Sequence, residues 1–111
     1  MTTQELIDLG LFQVVNEGDD TDRDITSVFC CDLLSIAMGR APSDCAWVTV
    51  MGNINTLAVA SLADASCIIL AEGVQLDEPA KAKAGMQGIT VLRTDKPIFD
   101  AALLIHQKIH A

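Results

Sequence analysis

Apolar and polar positions in this chain follow two alternating rhythms. Three times an apolar run of four or five residues stops at a small polar turn and gives way to a helical pattern. Trp47-Val48-Thr49-Val50-Met51 ends at Gly52-Asn53-Ile54-Asn55, Cys67-Ile68-Ile69-Leu70 at Ala71-Glu72-Gly73, and Ile89-Thr90-Val91-Leu92 at Arg93-Thr94-Asp95-Lys96-Pro97. Strands that alternate with helices pair in parallel, and near-continuous apolar strands are those buried on both faces. The pattern predicts an α/β fold: one small domain over residues 1–111, with a mainly parallel sheet flanked by helices.

The local signals between these units agree with it. Thr2-Thr3-Gln4-Glu5 has capping-box spacing, and Gly10 is placed to stop the helix that follows. Leu11 to Val15 reads as a strand. Asn16 to Asp24 is the one strongly polar stretch and reads as a solvated loop, after which Ile25 to Cys31 resumes strand character. Asp32 is placed to cap a short helix running to Met38 and ended by Gly39. Ile54 to Ala63 is apolar nearly all round, which predicts a largely buried helix. Asp77-Glu78-Pro79 opens the next helix and Gly88 closes it. The last helix runs from about Pro97 to His110, with Ile98, Ala102, Ile105 and Ile109 on one stripe.

Composition narrows the function classes. The chain has 111 residues, half of them apolar, with a formal charge of −8. An acidic chain without a Lys/Arg cluster repels phosphodiester backbones, so no nucleic-acid partner is expected. No apolar run approaches the ~20 residues of a membrane span, and the N-terminus reads as a polar helix rather than a signal peptide. No membrane association is expected, and the expected compartment is the cytoplasm. The cysteines, Cys30, Cys31, Cys45 and Cys67, form no Cys-x-x-Cys pair, so buried reduced thiols are expected rather than a metal site. Asp20, Asp22 and Asp24 begin like a calcium loop, but Ile25 stands where glycine is required and Cys31 where the closing glutamate should be. His106 and His110 have ligand spacing on a helix but no third partner. No nucleophile–base order or known catalytic motif is present, so the expectation is a protein that is not an enzyme and needs no cofactor.

Ligands of parallel sheets bind at the carboxyl ends of the strands, which makes the three turns the candidate site. Gly52 would let a backbone approach a ligand, and Asn53 and Asn55 flank a helix start suited to an anion; turn and cap duty explains them equally. Glu72, beside Gly73, can accept hydrogen bonds from a ligand or be an ordinary surface charge. Arg93 and Thr94, with Lys96 nearby, can hold a phosphate; otherwise Thr94 or Asp95 caps the last helix and Arg93 pairs with nearby acids.

From about Leu11 to Ile109 the chain resembles a DRTGG domain. Trp47 to Ala58, Ile68 to Gly73 and Gly88 to Thr94 align with its strand–turn regions. Asp22-Arg23-Asp24-Ile25-Thr26-Ser27-Val28 also resembles a segment in the N-terminal domain of HPr kinase/phosphorylase, whose fold is similar. The family's Asp-Arg and Thr-Gly-Gly are replaced: Asn53 and Asn55 occupy the first site and Gly73 alone survives in the second. The resemblance implies a stand-alone regulatory or sensory module, a homodimer, that binds a small ligand such as a nucleotide or phosphorylated metabolite through Gly52, Asn53, Asn55, Glu72, Gly73, Arg93 and Thr94. The alternative is a protein-interaction module that docks on an enzyme or regulator without a ligand.

Overall fold

The computed structural model describes residues 1–111 as a single α/β domain built on one five-stranded sheet. In chain order the elements are α1 (Thr3–Asp8), β1 (Gln13–Asn16), β2 (Ser27–Cys30), α2 (Leu34–Arg40), β3 (Cys45–Thr49), α3 (Ile54–Ala63), β4 (Cys67–Leu70), α4 (Glu78–Gln87), β5 (Val91–Arg93) and α5 (Ile98–Ile109). The strand order is β1-β5-β4-β3-β2. The pairs from β2 to β5 are parallel, and β1 runs antiparallel along β5 with an irregularity between Val14 and Asn16.

The apolar runs become two cores on opposite faces of the sheet, because successive strand residues point to opposite sides. Trp47, Ile68, Leu70 and Val91 face one way and pack with Ala37, Leu57, Ala80 and Ala84 from α2, α3 and α4. Val48, Ile69 and Leu92 face the other way, onto Leu6 of α1 and Ala101 and Ile105 of α5. All residues of β3 and β4 are buried, as continuous apolar strands require. The predicted stripe of α5 holds, with Ile98, Ala102, Ile105 and Ile109 all turned to the second core. No helix is long and apolar enough to cross a membrane.

The capping signals are confirmed at α1, where Thr2 and Glu5 form the capping box, and at α4, where Asp77 caps and Gly88 closes in the left-handed region. Several expectations differ, among them the last strand, which runs Val91–Arg93 instead of Ile89–Leu92. The cap of α2 is Leu33, with no side-chain bond, so Asp32 does not cap it; Gly39 lies inside this helix, which continues to Arg40. β3 begins at Cys45 and stops at Thr49, because Val50 and Met51 already belong to the turn. The largest difference is α3. Its apolar circumference is not buried all round: Ile54, Ala58 and Leu62 face outward, and Leu62 is 73% exposed. A helix in the outer layer of a three-layer stack covers the sheet with one side only.

Candidate functional site at the strand ends

The chain stays on one face of the sheet through α2, α3 and α4, and crosses to the other only after β5. The connections leaving β4 and β5 therefore diverge, which is the arrangement that opens a ligand crevice in an open α/β sheet. Glu72, Gly73, Arg93 and Thr94 lie at this divergence, so the fold brings four of the seven candidates together.

The crevice is closed by the chain's own hydrogen bonds. The Glu72 N–H donates to the Lys96 carbonyl at 2.9 Å and the Gly73 N–H to the Thr94 carbonyl at 3.0 Å. Both Glu72 (φ 60°) and Gly73 (φ 74°) sit in the left-handed region. That conformation costs a non-glycine residue about 1 kcal/mol, and at Glu72 it is offset by a specific bond. The Glu72 carboxylate accepts from the backbone N–H of Ile98 at 2.9 Å. Pro97, the N-cap of α5, supplies no side-chain bond of its own, so Glu72 caps that helix from across the turn. The capping role that the sequence left to Thr94 or Asp95 belongs to Glu72. The Thr94 hydroxyl instead accepts from the Lys96 N–H at 3.2 Å.

Arg93 is equally committed. Its guanidinium donates to the Gly73 carbonyl at 3.1 Å, to Gln13 Oε1 at 2.7 Å and to Asp95 Oδ1 at 3.1 Å, and its Nε reaches the Val74 carbonyl at 3.5 Å. It pins the turn after β4 and the edge strand β1 to the end of β5. Gly52 stands apart from this cluster. A Cβ there would lie 2.3 Å from the Gln75 carbonyl oxygen, so its missing side chain makes room for another turn of the chain. The Gly52 carbonyl accepts from the Asp77 N–H at 3.0 Å. Asn53 caps α3, its side-chain oxygen accepting from the N–H groups of Asn55 and Thr56. Asn55 itself is exposed and turned away, toward α2.

A second polar cluster lies at the opposite end of the sheet. Arg23 pairs with Asp44 at 2.7 Å and with Asp64 at 3.0 Å, and also donates to the Asp64 carbonyl. Burial works against its charge, but the bonds to Asp44 and Asp64 outweigh that and raise its pKa. A polar depression of about 170 Å³ opens beside it, lined by Asp20, Ser61, Ser66, Gln87 and Thr90 among others. The acidic residues of the 16–24 loop are exposed, as expected, while its backbone is tied down: the Gly18 N–H donates to Thr90 Oγ1 and the Asp19 N–H to the Gly88 carbonyl. Asp20, Asp22 and Asp24 do not converge, and no cluster of three His, Cys, Asp or Glu side chains is placed to share a metal ion. His106 and His110 lie side by side with ring centroids 4.3 Å apart and planes tilted by 51°.

The four thiols are free. Cys45 and Cys67 are fully buried, and burial pushes their pKa values up to about 11 and about 12. Cys30 and Cys31 differ from the buried thiols expected: Cys30 is exposed and Cys31 partly so, because β2 is an edge strand.

The largest free volume lies where sequence reasoning placed no site. A groove of about 550 Å³ runs between α2 and α3, lined by Leu34, Ser35, Met38, Gly39, Asn55, Ala58, Val59 and Leu62. Of the seven candidates only Asn55 lines it. A signal for this face was present. From Leu33 to Ala63 a chain of charge −8 carries just two charged residues, Arg40 and Asp44, and Asp44 is neutralised by Arg23.

No protein-family model matches the chain, and no curated protein matches it.

Proposed function

We propose that the protein is a non-catalytic interaction module of DRTGG-like architecture that docks on a partner protein through the α2–α3 groove. The occupant is an amphipathic helix that lays apolar anchors, spaced one turn apart, between the two helices, with basic residues on its flanks. The observation that carries this reading is the uncharged, mainly apolar groove itself, on a chain whose formal charge is −8. A groove between two helices fits a third helix, and a field of charge −8 steers a basic partner toward it. The strand-end turns support the same reading. Their polar groups are bonded to one another, so a nucleotide or phosphorylated metabolite would have to displace bonds that hold the fold together.

A designed helical peptide with leucines on one face and lysines on the other is the probe. It should bind with micromolar affinity, and Met38→Asp and Leu62→Asp should each weaken it at least tenfold. Both substitutions add negative charge, so non-specific attraction would change in the opposite direction. Equal binding to the variants would sink the proposal. The small-ligand alternative is tested in parallel by thermal shift against nucleotides and phosphorylated metabolites. The expected response is none; a rise of several degrees that vanishes in Arg93→Gln would restore the strand ends as the working site.

A further inference from the structure

The end of the sheet away from the strand-end turns carries a concave polar surface that the proposed function does not use. It is a hollow of about 170 Å³ where the ends of α3 and α4 meet the starts of β4 and β5. Ser61 and Asp64 come from the close of α3, Ser66 from the turn into β4, and Thr90 from the residue before β5. The 16–24 loop supplies the remaining wall through Asp20 and Arg23. That wall is fixed. The Gly18 N–H donates to Thr90 Oγ1 at 2.9 Å and the Asp19 N–H to the Gly88 carbonyl at 3.1 Å. The loop lies so close here that a Cβ on Gly18 would collide with the Gly88 carbonyl oxygen. Arg23 is held in turn by Asp44 and Asp64. A ligand entering walls that are already ordered meets little of the usual entropy cost.

The hydrogen-bonding capacity left over in the hollow defines what fits. Thr90 is 4% exposed and Ser66 8%, while Asp20 and Asp64 are exposed, so hydroxyls form the floor and carboxylates the rim. The Ser66 hydroxyl donates to the Asp24 carbonyl at 2.7 Å, which leaves its oxygen free to accept. The Thr90 oxygen accepts from Gly18, and its hydroxyl proton finds no acceptor within the chain. A buried donor left without an acceptor is costly, and a ligand oxygen at this point recovers that cost. Charge selects further. Two carboxylates face one guanidinium around the hollow, and that guanidinium is already shared with Asp44. Asp20 has no ion-pair partner, and only Oδ1 of Asp64 is bonded to Arg23. On a chain of charge −8 this rim repels anions and attracts cations. A cavity of about 150 Å³ holds benzene, so the hollow suits a molecule of about six to eight non-hydrogen atoms.

We infer that this hollow is a binding site for a small hydroxylated primary amine. The ammonium, a compact charge with three donors, sits at the rim with the Asp20 and Asp64 carboxylates. The hydroxyl groups point to the floor, where one accepts from Thr90 and another donates to Ser66. The hollow shares no residue with the α2–α3 groove, so this site stands or falls independently of the proposed docking.

Serinol, glycerol and glycerate are close in size and carry a positive, zero and negative charge at neutral pH, which makes them the probes. Each is titrated to about 20 mM into the full chain at constant ionic strength, followed by amide NMR shifts. Serinol should give saturable shifts centred on Ser66, Gly88 and Thr90, with a dissociation constant of about 1 mM. Glycerol should bind at least tenfold more weakly and glycerate not at all. Asp20→Asn, at an exposed position, should weaken serinol at least fivefold. Asp32→Asn makes the same charge change at the far end of the sheet and should leave binding unchanged. Ser61→Phe, at an exposed position lining the hollow, should abolish binding while circular dichroism matches the parent. Failure of serinol to saturate would overturn the proposal. So would glycerate binding as tightly as serinol, or Asp32→Asn weakening it as much as Asp20→Asn, which would reduce the effect to attraction by the whole chain.

Discussion

Each strand-end candidate has a structural task, and the tasks predict different costs. Gly52 has no room for a side chain: an added Cβ would meet the Gln75 carbonyl oxygen at 2.3 Å, and backbone cannot rotate aside as a side-chain tip can. Gly52→Ala should therefore destabilise the fold by about 2 kcal/mol, in the range of overpacked sites, read from urea denaturation. Glu72 is an exposed residue and would ordinarily be neutral to substitution. Because its carboxylate supplies the missing cap of α5, Glu72→Ala should cost about 1 kcal/mol. Glu72→Gln keeps an oxygen that can accept from Ile98 and should cost clearly less. If both substitutions cost nothing, the cap across the turn does not hold the helix. The two variants together separate a capping role from a ligand-binding one, because a surface charge kept only for a ligand would leave stability unchanged.

Arg23 ties elements together instead of finishing one. It bonds Asp64, the left-handed C-cap of α3, and Asp44, the left-handed residue before β3, and so clamps the 16–24 loop to two crossover connections. Its side chain is four-fifths covered and joins two acids that stay open to water, so Arg23→Gln should lose about 1 kcal/mol, the upper end for a surface pair. Raising salt should narrow the gap between parent and variant in chemical denaturation. The pairing of Arg23 was invisible in the sequence, since Asp44 and Asp64 lie 21 and 41 residues away along the chain. What could be read were local signals: the capping box at Thr2, the Asp77 cap and Gly88 stop of α4, the boundaries of α3, and the apolar runs that became β3 and β4. Those depend on neighbours along the chain. The antiparallel return of β1 and the exposed side of α3 depend on where elements stack, which periodicity does not encode. The end of β4 was located to the residue and those of β3 and β5 to within two, but the closing of the crevice was not foreseeable, because it rests on Lys96, Thr94 and Ile98 backbone groups that carry no residue-specific signature.

Two cores sharing one sheet make the molecule a single cooperative unit: neither face can open without exposing the strands that support the other. Cys45 belongs to the first core and Cys67 to the second, and both thiols are neutral in the fold. An unfolded thiol titrates near 9.0, while burial holds these two up to about 11 and about 12. Between those values the unfolded chain has lost protons that the native state retains. The unfolded state is then favoured as pH rises, so the stabilising contribution is complete below pH 9 and is lost progressively toward the native values. Urea denaturation followed by Trp47 fluorescence under reducing conditions should show a falling midpoint from about pH 8.5 to pH 10.5. Trp47 is a suitable reporter, being fully buried with its indole N–H bonded to the Cys31 carbonyl at 2.9 Å. Replacing both thiols, as Cys45→Ala with Cys67→Ala, should lower stability at pH 7 through lost packing while flattening the alkaline slope. An unchanged slope in that variant would assign the alkaline loss to other groups, and a slope halved by either single replacement would show that both faces of the sheet report the same transition.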